Sequence, residues 1–436
     1  MLNKHSPVII VGGGAFGLST ALHLSLAGYS DITVFERDEK IPSKYSAAYD
    51  INKIVRAEYE DEFYTQLALD VIEAWKNNPI FNPYYHQTGY IVATSGSAPS
   101  KARDTLQKSL SSLTNRPAFR NEIKQLSTKD DFRKYAWQIT GPLKGFKGYF
   151  NRIAGYAHSA NSLKSAFVAC AQRGIRFVTG EEKGKIVELL YEGKKCVGVK
   201  TADGKVYKAE TTIVALGAYA ASLIPSVGNF AVARCWSVAH VQLTEEETDL
   251  LRGIPVVNVR DLGFFFEPDP ATRLFKLCPL GAGFVNTNKS NGISLPPPDR
   301  LPPPQDYIPA EDERKLRRLL QETFPWMANR PFVDQKLCWF SDTKDSEYCI
   351  DFVPGTENSL VVLSGDSGHG FKMMPIFGEW VVDLLQNGKQ KLERWQWRKE
   401  DQRGVDWGSS VNWRIGETRE LKELIVEKEG MVKARL

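Results

Sequence analysis

Runs of apolar residues bounded by turn formers mark the first elements. Pro7 to Val11 (PVIIV) is apolar throughout, the pattern of a strand buried on both faces. A glycine-rich turn, Gly12-Gly13-Gly14-Ala15-Phe16-Gly17, follows it. Apolar residues then fall at 18, 21, 22, 24 and 26, a helical spacing that ends at Gly28. Ile32 to Phe35 reads as a second strand, closed by Glu36. Further along, Ala160 to Arg173 reads as a helix and Gly174 to Thr179 as a strand. Cys196–Thr201 and Val206-Tyr207 flank Asp203-Gly204, a hairpin signal. Thr211 to Ala218 reads as a buried strand ending in small residues, where Ala215 and Gly217 offer a second close approach of backbone to a ligand. These last three stretches are expected to join the first unit.

Between them the pattern changes. Residues 87–148 carry Lys- and Ser-rich helical sequence. Residues 226–335 carry strand-like runs, including Val238–Leu243 and Gly263–Glu267, and a proline cluster from Leu295 to Pro304 that reads as extended loop. No internal repeat is present. The alternation predicts a discontinuous nucleotide-binding domain (1–86, 149–225, 336–390). Its inserts (87–148 and 226–335) build a substrate domain, and 391–436 forms a polar tail.

The glycine turn has a specific physical reading. Gly12 permits the sharp exit from the strand, Gly14 lets backbone approach a pyrophosphate, and Gly17 lets helix and strand pack closely. A diphosphate then lies on the free amides at the helix start, beside Ala15 and Phe16. Glu36 stands 19 residues after Gly17, placed to accept from a ribose 2′-hydroxyl. This unit predicts a dinucleotide site; the motif alone does not separate FAD from NAD.

Composition narrows the class. The chain has 436 residues, 42% hydrophobic and 25% charged, with formal net charge +4. Such a chain is neither a coiled coil nor largely disordered, and +4 gives no electrostatic footprint for nucleic acid. No apolar run reaches membrane-spanning length, and Met1 to Val11 does not read as a signal peptide. The six cysteines (170, 196, 235, 278, 338, 349) form no C-x-x-C pair and no metal spacing, so free thiols in a reducing compartment are expected. The chain ends Ala434-Arg435-Leu436, similar to the small–basic–Leu tripeptide read by peroxisomal import; peroxisome or cytoplasm is the expected location.

Three segments carry a resemblance. Ser46-Ala-Ala-Tyr-Asp50-Ile-Asn52-Lys53-Ile-Val-Arg56, then Cys338-Trp-Phe-Ser-Asp342-Thr343, then Ser367-Gly368-His369-Gly370-Phe371-Lys372 resemble motifs of the amine-oxidising flavoproteins. That family includes monomeric sarcosine oxidases, pipecolate and saccharopine oxidases and the fungal fructosyl amino acid oxidases (amadoriases). The likeness runs from about Val8 to Glu379. It implies an α/β fold: a Rossmann-like FAD-binding domain of the D-amino-acid-oxidase type, with an interleaved α+β substrate domain built on a mixed sheet. It implies FAD attached through Cys338 by a thioether. It also implies cofactor contacts from Gly12, Gly14, Ala15, Phe16, Gly17, Glu36, Arg37, Ser46, Asn52, Lys53, Ala215, Gly217, Asp342 and residues 368–372. The glycine-rich run before Lys372 is expected to present helix N-terminal amides to the flavin.

The roles follow the same way. Arg56 matches the arginine that grips a substrate carboxylate, a sensible bidentate task. Lys276, in Phe275-Lys276-Leu277-Cys278, matches the lysine that activates O₂, assisted by Lys53. Lys372 lies near the flavin and helps anchor the acid; Arg414, in Asn412-Trp413-Arg414, is expected to reach substrate. One departure matters. Amadoriases read K-x-C-D-E, whereas this chain reads Lys276-Leu277-Cys278-Pro279-Leu280. Leu280 offers sugar hydroxyls no acceptor, although Glu58 or Glu267 stand as possible substitutes. The expectation is a monomeric oxidase of N-methyl or N-alkyl amino acids with apolar or aromatic side chains. It forms an imine or iminium and H₂O₂, as a biosynthetic tailoring step would use it. Amadoriase or saccharopine/pipecolate oxidase activity is the alternative; an NAD-dependent dehydrogenase and a non-catalytic flavoprotein are the alternatives of another class.

Overall fold

In the computed structural model, which describes residues 3–297, 307–403 and 414–425, two large sheets dominate. The first has six strands in the order Cys349–Phe352, Leu360–Ser364, Thr211–Val214, Val8–Val11, Ile32–Glu36, Arg176–Thr179. All neighbours are parallel except the Cys349–Phe352 edge. Val8–Val11 is central and wholly buried, as an uninterrupted apolar run requires. The helix Ala15–Leu26 is buried on nearly every side. It packs between the helices Ser159–Gln172 and Phe377–Asn387, and Phe16 stacks on Phe377 with ring centres 3.7 Å apart.

The second sheet has ten strands. Its order is Arg419–Glu420, Phe284–Val285, Ala231–Gln242, Leu274–Pro279, Gly263–Phe265, Val256–Val259, Tyr90–Thr94, Lys147–Asn151, Ile123–Leu126, with Val333–Thr343 also paired to Ala231–Gln242. Its core, including Phe265, Phe275, Leu316 and Phe324, is separate from that of the first sheet. Positions 148 and 336 lie within strands of this sheet, Lys147–Asn151 and Val333–Thr343, the second paired with a register shift between Val238 and His240 of its neighbour.

The hairpin forms but does not join the parallel sheet. Lys195–Thr201 and Val206–Lys208 pair with Ile186–Glu192 in a small antiparallel sheet of their own. The turn is local, and the third strand, Ile186–Glu192, lies just upstream, so the three pair among themselves and pack against the parallel sheet through Val199, Ile9 and Phe35. The tail also departs from a surface wrap. Arg414 is buried and Arg419–Glu420 adds to the ten-stranded sheet. Most of the proline cluster, Asn412-Trp413 and the Ala434-Arg435-Leu436 ending lie outside the described residues.

Candidate active site

The dinucleotide cradle is built where the first sheet's central strands end. Gly12 has φ +111°, and a Cβ there would collide with the Ala215 carbonyl oxygen. A Cβ on Gly17 would collide with the Gly12 carbonyl, so this glycine serves the protein's own packing. Gly14 is different: a Cβ there would meet only Ser46, at 3.3 Å from Oγ. Nothing in the protein demands glycine at 14, which is what a ligand-facing position looks like. The helix from Ala15 has no side-chain cap and no acidic residue in its first turn, so its leading amides remain suited to an anion.

Glu36 is buried and already oriented. Its Oε2 accepts from Gly13 N–H (3.0 Å), and its Oε1 accepts from Asp38 N–H (3.0 Å) and Ser43 Oγ (2.9 Å). Arg37 lies between the rings of Tyr45 and Tyr219, at 3.4 and 4.4 Å from their centres. Ala215 N–H donates to Val11 O (2.8 Å), tying the second approach strand to the first. Gly217 has φ +51° and no atom within 4 Å of where its Cβ would be. Asn52 Oδ1 is buried with no protein partner. An open glycine, an uncapped helix start and an orphan acceptor fit a dinucleotide such as FAD.

Cys338 sits on Val333–Thr343 opposite Trp236. It alone among the six cysteines is not fully buried. Its Sγ lies 3.7 Å from Lys53 Nζ and 3.6 Å from Ala47 O. Lys53 and Lys276 converge on one buried carboxylate, Asp50, whose Oδ2 accepts from their Nζ atoms at 2.9 and 2.5 Å. Lys276 also donates to Asn52 O (2.7 Å). The two lysines hold Asp50 far below the usual carboxylate range despite its burial. Asp50 stands inside the quoted motif, but sequence reasoning gave it no role. Its partner Lys276 lies 226 positions away, and no linear spacing signals the pair.

Arg56 and Lys372 meet around Tyr59. The Lys372 Nζ donates to Tyr59 Oη (2.6 Å) and to His369 O (3.3 Å). Arg56 donates to the Glu58 carbonyl and lies 5.1 Å from the Tyr59 ring centre. Neither cation has a carboxylate ion-pair partner among the described residues. Burial first, and then Arg56, push Lys372 well below the ordinary lysine range. Glu58 is buried nearby, its Oε1 accepting from Asn151 Nδ2 (2.5 Å). Glu267 is committed elsewhere, to Tyr156 Oη (2.8 Å) and Gly253 N–H (2.7 Å).

His369 is held on both ring nitrogens. Nε2 faces the Ser346 carbonyl (2.9 Å), so it carries the proton, and Nδ1 accepts from Tyr59 and Tyr348 hydroxyls at 2.9 and 3.0 Å. Burial keeps the ring neutral. Phe371 packs on Trp75, whose Nε1 donates to Lys372 O (2.7 Å). A Cβ on Gly370 would crowd Phe16 at 2.7 Å, and one on Gly368 would crowd Trp236 at 2.7 Å. The expected helix N-terminus after Gly370 is only a single 3-10 turn, Phe371–Met373. Pro375 has no N–H to continue it, and the α-helix starts at Phe377.

Asp342 and Arg414, expected to meet cofactor and substrate, meet each other. Both are fully buried and ion-paired, with Arg234 Nε 2.8 Å from the second carboxylate oxygen. Two guanidiniums compensate one buried carboxylate, which takes Arg414 away from a substrate role. Leu280 is half-buried; its N–H donates to Leu262 O (3.3 Å) and its carbonyl accepts from Lys315 Nζ (3.0 Å). Its chain neighbours Pro279 and Gly281, but not Leu280 itself, line a cavity of about 310 Å³ together with Trp236, Asp312, Lys315 and Ile415, among others.

Comparison with known proteins agrees with this geometry. The family model for FAD dependent oxidoreductases (DAO) matches residues 7–384. The chain is 33% identical to L-saccharopine oxidase of Schizosaccharomyces pombe over 428 residues, covering 93% of this chain and 95% of that one. It is 23% identical to monomeric sarcosine oxidase of Bacillus sp. strain NS-129, covering 89% and 95%. Fructosamine oxidase (Amadoriase II) from Aspergillus fumigatus, solved in complex with FSA, superposes with TM-score 0.88 at 33% identity, covering 97% of each chain.

Proposed function

The chain belongs to the DAO family of FAD-dependent oxidoreductases and is an amine oxidase of the sarcosine, saccharopine and amadoriase type; from that premise we propose that it oxidises the C–N bond of N-alkyl amino acids. The observation that carries this is the pair of cations around Tyr59. A substrate carboxylate can accept from the half-buried Arg56 and favours the protonated form of Lys372, which burial otherwise draws down. An amine without a carboxylate does neither.

FAD, when bound, supplies the acceptor for two electrons from the carbon beside nitrogen and returns them to O₂ as H₂O₂. The chain's residues do the rest. Gly14 and the helix start at Ala15 receive the diphosphate, Glu36 the ribose, and Cys338 is read as the covalent attachment point. Arg56 and Lys372 fix the carboxylate, and Tyr59 holds Lys372 in position. Lys276, with Lys53, supplies fixed positive charge for the oxygen step. Leu280 gives the substrate an apolar contact where a sugar would need an acceptor.

A second reading has its own support. The cavity lined by Pro279 and Gly281 carries both signs of charge, Lys315 and Arg419 with Glu311, Asp312 and Glu417, which suits a second zwitterionic end on the substrate, as in a saccharopine-type amine. A peroxide assay on the purified holoenzyme tests both. N-methyl and N-alkyl amino acids, pipecolate, saccharopine, fructosyl-valine and the matching amines without carboxylate form the panel. The expected result is turnover of carboxylate-bearing secondary amines at least about tenfold above their decarboxylated forms. Preference for saccharopine selects the second reading. Fructosyl-valine ahead of every other amine, or no dependence on the carboxylate, overturns the proposal.

A further inference from the structure

Asp50 is the one carboxylate among three ammonium groups. Its Oδ2 receives Lys53 and Lys276, its Oδ1 receives the Ile51 N–H at 2.9 Å and lies 4.0 Å from Lys336 Nζ. Asp50 and Lys276 side chains are each 1% exposed. An ammonium has three N–H bonds. Two from Lys276 go to Asp50 and Asn52 O, and the Nζ stands 4.9 Å from the Phe266 ring centre. One donor therefore remains for a small molecule beside it.

The ionisable groups around Lys276 come from every packed element. Asp50 and Lys53 come from the turn and strand below, and His240 is its register partner on Ala231–Gln242. Cys278 lies on its own strand, while Lys336 and Cys338 come from Val333–Thr343. Asp50 is the carboxylate paired to Lys276, and Asp334, on the same strand as Lys336, faces His240 at 3.5 Å. Burial draws Lys276 below the ordinary lysine range, and Asp50 is the largest influence opposing that.

We propose that Asp50 is a positioning residue for the oxygen step, holding the Lys276 ammonium charged and aimed so that it remains a fixed cation during reduction of O₂. This rests on the oxidase reading above and on Lys276 serving that step. Overall the amine loses two electrons and two protons to become an imine, and O₂ takes up both to leave as H₂O₂. Lys276 keeps its proton throughout. Without the Asp50 charge, Lys276 titrates at lower pH, so the oxygen step weakens as pH rises, earlier than in the parent enzyme.

The test needs no knowledge of the substrate. Holoenzyme is photoreduced anaerobically and mixed with O₂ across pH 6–10, for the parent, Asp50→Asn, Lys276→Met and the double variant. Reoxidation of Asp50→Asn is expected to slow about 10- to 100-fold near pH 8, with its pH profile displaced to lower pH. The anaerobic potential of the bound flavin, titrated against a dye, is expected to gain a break at the same pH in Asp50→Asn only. Adding Asp50→Asn to Lys276→Met should leave the pH profile and the potential unmoved, any small change in rate acting through Lys53, the other ammonium on Asp50. Parent-like rate, profile and potential in Asp50→Asn, or additive losses in the double variant, overturn the proposal. If Asp50→Asn does not retain flavin, Asp50→Glu takes its place. Charge is kept there, so a loss below about tenfold with the parent pH profile is expected, and a displaced profile overturns the proposal. Absence of amine-dependent bleaching in the parent enzyme is a separate failure, that of the oxidase reading.

Discussion

Cys338 differs from the other five cysteines in being partly exposed, with an ammonium 3.7 Å from its sulfur. Burial pushes the Cys170 and Cys349 thiols up to about 12 and Cys278 to about 11, which makes them inert at neutral pH. A residue able to bond a flavin must be reachable, and Cys338 is the one of the six that is. Cys338→Ser is therefore expected to leave the fold and the FAD site intact while abolishing colour in acid-precipitated protein. Colour that survives precipitation in the variant would place the attachment elsewhere, and a colourless precipitate of the parent would mean that there is none. The same scale shows what a motif hides. The cysteine, both lysines and Arg56 were legible because each stands in a quotable run. Glu267 was weighed as a substitute acid, yet Tyr156 and Gly253 already occupy it. Hydrogen-bond commitments of this kind have no linear signature.

At the scale of elements, two glycines in one turn do different work. Gly17 is required by its own neighbour, the Gly12 carbonyl, whereas Gly14 faces open space apart from Ser46. Gly17→Ala is expected to prevent soluble folding, because backbone on a central strand cannot yield to a methyl group. Gly14→Ala is expected to fold with parent-like circular dichroism but to bind FAD at least about tenfold more weakly, measured by flavin content and reconstitution of apoprotein. Equal damage from both substitutions would show that Gly14 too serves packing. The strand–turn–helix unit was readable because its periodicity, its glycines and Glu36 are contiguous. The hairpin around Asp203-Gly204 was readable as a hairpin, but not that it forms a small sheet of its own packed on the first unit. Turn chemistry is local, but which sheet a strand joins depends on the edge it finds.

Across the whole molecule, a buried ion triad fastens the tail to the core. Arg414 comes from the last described segment, Arg234 from the long strand of the ten-stranded sheet, and Asp342 from its pairing strand. Removing Asp342 strands two arginines in the interior, while removing Arg414 leaves a balanced Arg234–Asp342 pair. Asp342→Asn is thus expected to lower stability by about 3–5 kcal/mol, and Arg414→Met by clearly less, in urea unfolding of the holoenzyme. The reverse order would mean that the triad is not what anchors the tail. Burial pulls Arg414 down to about 10, still charged at neutral pH, so this difference should persist from pH 6 to 8.

The amino-acid order alone settled whatever depends on neighbours in the chain. It was enough for the parallel-strand opening with its dinucleotide turn, for the helix and strand at 160–179, and for the three motifs that carry the family. Apolar periodicity and turn residues act over a few positions, so they survive in one dimension. Tertiary structure decided what depends on residues far apart in sequence. It joined Asp50 to Lys276, brought Arg56 and Lys372 together around Tyr59, and turned Arg414 from an expected substrate contact into the counter-ion of Asp342. The two ion pairs follow from one requirement, that a charge taken out of water finds an opposite charge or a full set of hydrogen bonds. Which partner meets it is fixed only when the chain has folded.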